Sequence, residues 1–153
     1  MTISMKRIDG LTLVELLLAL AIIGLLAAIA VPNYLQYVER VKVELAIADI
    51  KGIEMTIQRY VTVSMSLPKN LAEIGEANLL DPWGHPYEFL NFEGLKGKGK
   101  MRKDKNLVPV NSDYDLYSMG PDGRTSAPFT AKAARDDIVR ANNGRYVGPA
   151  SEF

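Results

Sequence analysis

A small set of residues near the N-terminus has types and spacing that could do chemistry together. Lys6 and Arg7 are basic, Gly10 is a small residue suited to a cleavage site, Leu11 opens an apolar run, and Glu15 is the one charge inside that run. Cutting the chain after Gly10 would create a new α-amino group on Leu11. Glu15 lies four residues further on, about one helical turn, so its carboxylate could reach that amine. A carboxylate placed in hydrocarbon costs about 3 kcal/mol on insertion scales, and a buried charge is tolerated when it is paired. Glu15 therefore reads as the partner of a positive group, either the Leu11 amine of its own chain or that of a neighbouring copy. The alternative is a carboxylate tolerated near the membrane surface.

Other chemistry is sparse. The chain has no cysteine, which excludes disulfides, thiolate catalysis and cysteine-ligated zinc. His85 is the only histidine, so a Ser-His-Asp triad could be built only around it, and a histidine-rich metal site not at all. Between Gly84 and Pro86 it reads as structural. No nucleophile, base and oxyanion donors assemble into a catalytic set, so no enzyme is expected. The formal net charge is zero, and nothing global points to nucleic acid. Lys96, Lys98, Lys100, Arg102, Lys103 and Lys105 cluster around Gly97 and Gly99. No interleaved aromatic supports nucleic-acid binding there, and the cluster reads as a solvated loop.

The elements that must position these residues follow from periodicity. Residues 11–31 are almost wholly apolar and would span about 31 Å as a helix, close to the ~30 Å of a bilayer core. A secretory signal places its apolar region before the cut, whereas here it follows Gly10 and stays in the product. Lys6 and Arg7 predict a cytoplasmic N-terminus, with the remainder outside. Met5 is a second possible start, leaving a shorter leader. Gly24 and Pro32 mark residues 24–32 as the place for a kink or local melting, unless Pro32 simply ends the helix. Residues 33–61 resume the helical pattern with two stripes. Tyr34, Val38, Val41, Leu45, Ala48 and Met55 form one, and Val43, Ile47, Ile50, Ile57 and Tyr60 the other. Two apolar stripes imply two packing duties: one face covers its own domain, the other meets a neighbour. The alternative is a central helix buried on both sides. Together the two stretches predict a helix too long for a compact domain of this size.

Beyond residue 64 the pattern changes. Asn70 with Glu73 resembles a capping box opening a short helix through Ile74. Asp81-Pro82-Trp83-Gly84-His85-Pro86 is dense in turn formers, and Trp83 is expected to pack against the long helix. Residues 87–92, 108–110 and 114–118 are the predicted strands, with loops at 94–106 and 120–135. The tail from Asp136 shows only the apolar pair Ile138-Val139 before Asn142-Asn143-Gly144.

Lys6-Arg7-Ile8-Asp9-Gly10 followed by Leu11-Thr12-Leu13-Val14-Glu15-Leu16 resembles the prepilin signal of type IV pilins and pseudopilins, although Phe or Met is commoner than Leu at the first mature position. Asp81-Pro82-Trp83-Gly84-His85-Pro86-Tyr87, Tyr114 through Gly123, and Asp136-Asp137-Ile138 are similar to the major pseudopilins of type II secretion systems. The likeness runs from about residue 5 to 138 and leaves the loop 94–106 and the tail after Arg140 unaccounted for.

The resemblance implies an α+β, type IV pilin-like fold, with a long bent N-terminal helix on a small antiparallel sheet. It implies a leader, residues 1–10, removed between Gly10 and Leu11 by a prepilin peptidase, with N-methylation of Leu11. Residues 11–32 would then form the membrane and filament-core helix and 33–153 a soluble periplasmic domain on the inner membrane. Glu15 and Pro32 would serve assembly into a homo-oligomeric filament, with minor pseudopilins, a platform protein and an ATPase as partners. The filament would drive export by type II secretion, or else form a surface type IV pilus. Many pilins carry a C-terminal disulfide, which this chain cannot form. The resemblance also implies calcium in the loop after the last main strand, with Met119 (through its carbonyl), Asp122, Asp136 and Asp137 as ligands. On the residues alone, Pro121-Asp122-Gly123 reads instead as a surface turn and Asp136-Asp137 as a helix start.

Overall fold

A computed structural model describes residues 12–153. Helix α1, Leu13–Ser64, is 52 residues long and carries Pro32 within it. Pro32 therefore does not end the helix. Asn33 donates its side-chain amide to the Ile29 carbonyl (3.0 Å), one turn back beside the proline. The helix stops where Met65 turns left-handed (φ 56°), with Pro68 shortly beyond. By internal packing the chain divides into Met1–Glu39 and the compact unit Arg40–Phe153. In the first unit, the apolar side chains from Leu13 to Tyr37 are exposed. Among the described residues one helix is long and apolar enough to cross a membrane.

In the compact unit a four-stranded antiparallel sheet follows the chain in order: β1 Glu88–Asn91, β2 Tyr114–Ser118, β3 Ile138–Ala141 and β4 Tyr146–Pro149. Strand β2 falls on the predicted span, and β1 lies within its own. The expected strand at 108–110 does not form. Pro109 has no N–H to give to a ladder, and the segment is a bend. The β3–β4 hairpin is an element the sequence reading lacked. Asn142, Asn143 and Gly144 all take positive φ in its turn (52°, 56° and 83°), which is what the Asn-Asn-Gly run is suited to.

One face of the sheet packs on the helix. Ala46, Ile50, Ile53 and Ile57 meet Leu71, Tyr87, Tyr114, Leu116 and Ile138, and Trp83 packs against this cluster as expected. The buried helix face is thus the second stripe, extended by Ala46 and Ile53. The first stripe stays open, with Tyr34, Val41, Leu45 and Met55 all exposed. The opposite sheet face carries a second core of Val110, Phe129, Val139, Ala141 and Ala150. Loop segments cover it: Lys103 N–H donates to the Ala127 carbonyl (3.0 Å), and Phe129 N–H to the Lys103 carbonyl (2.9 Å).

Candidate functional site

Thr12 and Glu15 tie the start of α1 together. The Glu15 carboxylate accepts from the Thr12 N–H and hydroxyl (both 2.8 Å), and the Thr12 hydroxyl accepts from the Glu15 N–H (3.2 Å). This reciprocal pairing satisfies donors that a helix start otherwise leaves open. The Thr-x-x-Glu spacing of Thr12 and Glu15 is the sequence signal for this pairing, which the sequence reading lacked. Glu15 is exposed here, so its oxygens remain accessible to another group. Lys6, Arg7, Gly10 and Leu11, with the expected cleavage and methylation, lie outside the described residues.

The predicted capping box forms in modified shape. Asn70 accepts from the Ala72 N–H (3.0 Å) and Glu73 N–H (3.3 Å), opening a 3-10 turn at Leu71–Ile74. Glu73 reaches the Lys69 N–H (2.9 Å) instead of the cap residue, and receives the Tyr60 hydroxyl (3.2 Å) from α1.

The turn at 81–86 is organised by buried Asp81. One carboxylate oxygen accepts from Trp83 N–H (3.0 Å) and His85 N–H (2.8 Å), and the other from the Ser118 hydroxyl (2.5 Å). His85 Nδ1 lies 3.1 Å from the Gly120 carbonyl. A β-carbon on Gly123 would come within 2.7 Å of the imidazole. These contacts fasten the turn before β1 to the loop after β2, consistent with a structural His85.

That loop holds the expected calcium ligands. Asp122 and Asp136 are neighbours, the Asp122 N–H lying 3.4 Å from an Asp136 carboxylate oxygen. A β-carbon on Gly120 would meet the Asp136 carbonyl at 2.3 Å, so the loop closes tightly there. Asp137 does not join them. It is fully buried, and one of its oxygens takes a hydrogen bond and an ion pair from Arg102 as well as the Thr125 hydroxyl (2.6 Å). Its other oxygen is buried without a partner. Burial pushes the Asp137 carboxyl pKa up, while Thr125 and Arg102 pull it down. Calcium takes about six to eight oxygens. Among the described residues no group of three or more histidines, cysteines or acidic side chains could hold a metal. The loop thus brings Asp122 and Asp136 together, while Asp137 turns one oxygen to Arg102 and Thr125. Arg102, expected in a solvated basic loop, is instead 2% exposed because its guanidinium is drawn inward to Asp137; Lys96, Lys98 and Lys100 are exposed as expected.

A helix of membrane length, opened by a polar pair and packed on a small antiparallel sheet, is a pilin-like layout. Residues 5–31 match the prokaryotic N-terminal methylation motif. The type II secretion system core protein G of Pseudomonas aeruginosa is 30% identical over 140 residues, covering 78% of this chain and 87% of the relative. That of Escherichia coli (strain K12) is 33% identical over 122 residues, 74% of this chain and 82% of the relative. A fimbrial protein of Pseudomonas aeruginosa is 38% identical over 88 residues, only 52% of this chain. No solved structure matches significantly. The chain belongs to the type II secretion system core protein G family.

Proposed function

We propose that this chain is the repeating structural subunit of a type II secretion filament and has no catalytic step of its own. In this reading a prepilin peptidase removes residues 1–10 and Leu11 is methylated. The subunit rests in the inner membrane as a single-pass protein, with residues 33–153 in the periplasm. A platform protein and an assembly ATPase then add it, together with minor pseudopilins, to a filament that moves proteins across the envelope.

The observation that carries this reading is the open apolar stripe of α1. Within the compact unit Val41, Leu45 and Met55 are exposed on α1, while the opposite stripe is sealed under the sheet. Exposed apolar area of this extent favours burial against further copies. Secretion is supported over a surface pilus by the reach of the relatives, since core protein G aligns with most of the chain and the fimbrial protein with about half.

The test is replacement in a secreting bacterium lacking its own core protein G. Mass spectrometry of the membrane fraction should find a methylated N-terminus at Leu11. Sheared filaments should contain the chain, and export should return. A retained Met1 or Met5, or filaments that form without restoring export, would count against the secretion subunit; the second outcome would favour a pilus.

A further inference from the structure

Asp137 is buried in the loop region between β2 and β3, where an unpaired carboxylate would be costly. Its cation comes from 35 residues earlier in the chain. Arg102 donates one guanidinium nitrogen to Asp137 and another to the Thr125 hydroxyl, which in turn donates to Asp137 (2.6 Å). The three side chains close a ring of hydrogen bonds. The guanidinium also lies 4.3 Å from the Tyr117 ring centroid and 5.2 Å from that of Phe129. The Arg102 backbone is held as well: its N–H donates to Asp115 (2.6 Å), and its carbonyl accepts from Val110 N–H (2.9 Å). One residue therefore joins the basic loop, β2, the loop after β2 and the approach to β3.

The surroundings suit a guanidinium better than a metal ion. Aromatic faces attract a planar, weakly hydrated cation and provide no oxygen ligands. Calcium is a hard cation that needs oxygens throughout its shell. We propose that the Arg102 guanidinium is the built-in cation that staples the loop between β2 and β3, serving in this chain the structural role that the resemblance gives to calcium.

The test is thermal unfolding of the full-length chain in detergent, in millimolar calcium and in excess chelator, alongside limited proteolysis of residues 120–137. The wild type should melt at the same temperature in both, with the loop equally protected. Arg102→Met should lower Tm by roughly 10 °C and open the loop to protease, because it leaves buried Asp137 without its cation. Adding Asp137→Asn to that variant should recover part of the loss. Arg102→Lys, which keeps charge without the planar fork, should fall between and serves if Arg102→Met does not fold. A saturable rise of the wild-type Tm with calcium would overturn the proposal. So would strictly additive effects of Arg102→Met and Asp137→Asn.

Discussion

Arg140 on β3 and Glu54 on α1 are 86 residues apart in sequence, yet the Arg140 Nε donates to the Glu54 carboxylate at 2.8 Å. The same guanidinium forks onto Asp113 through both terminal nitrogens (2.9 and 2.8 Å) and lies 4.0 Å from the Tyr114 ring centroid. Helix, sheet and the approach to β2 thus share one cation. Truncating it would strand two partly buried carboxylates. Arg140→Ala is expected to destabilise the fold by about 3 kcal/mol, measured by urea unfolding. Arg140→Lys should lose less, since it keeps the charge but not the bidentate geometry. A double-mutant cycle with Glu54→Gln should be clearly non-additive.

The β3–β4 turn depends on one glycine for two reasons. Gly144 has φ +83°, and a β-carbon there would lie 2.2 Å from Glu54 Oε1, the atom Arg140 holds. Gly144→Ala should cost about 1–3 kcal/mol through backbone strain and displacement of Glu54. Gly52, in α1, has nothing within 4 Å of its absent β-carbon. Gly52→Ala should stabilise the protein by about 0.5–1 kcal/mol. Parallel melting curves check both signs.

The two stripes of α1 should separate folding from assembly. Ile50→Ala, in the core, should cost about 2–5 kcal/mol in a denaturant titration. Leu45→Glu, on the open stripe, should leave the melting curve almost unchanged and reduce the yield of sheared filaments. Loss of folding in Leu45→Glu with normal filaments from the folded fraction would contradict the division of duties.

Glu15→Leu should insert into membranes as the wild type does and fail to accumulate in filaments. Glu15→Gln can still accept the Thr12 hydrogen bonds but carries no charge. If charge pairing is the requirement, Glu15→Gln should be nearly as defective as Glu15→Leu in a filament assay. If the Thr12 pairing suffices, it should assemble.

Local signals carried their elements well. The apolar run with its lone charge, the resumption of the pattern after Pro32, the Asn70 cap and strand β2 all depend on short-range periodicity and turn chemistry. Failures came where a residue's role depends on a distant partner. Residues 108–110 looked strand-like by side chain, but Pro109 removed a ladder donor. Arg102 has the same type as its solvated neighbours, and only Asp137, Thr125 and two aromatic rings distinguish it. The β3–β4 hairpin had a legible turn in Asn142-Asn143-Gly144, but β3 is buried on both faces and so shows no in-out alternation, and β4 is only four residues long.

By itself the sequence determined a membrane-length helix with a lone carboxylate near its start and a second helical stretch with two apolar faces. These follow from the spacing of apolar residues along a helix, which needs no knowledge of the rest of the chain. Tertiary structure decided which stripe lies under the sheet and which stays open. It also decided that Arg140 locks helix to sheet and that Arg102 pairs with Asp137. Charge type is local, but the worth of a buried charge depends on the partner that folding brings to it.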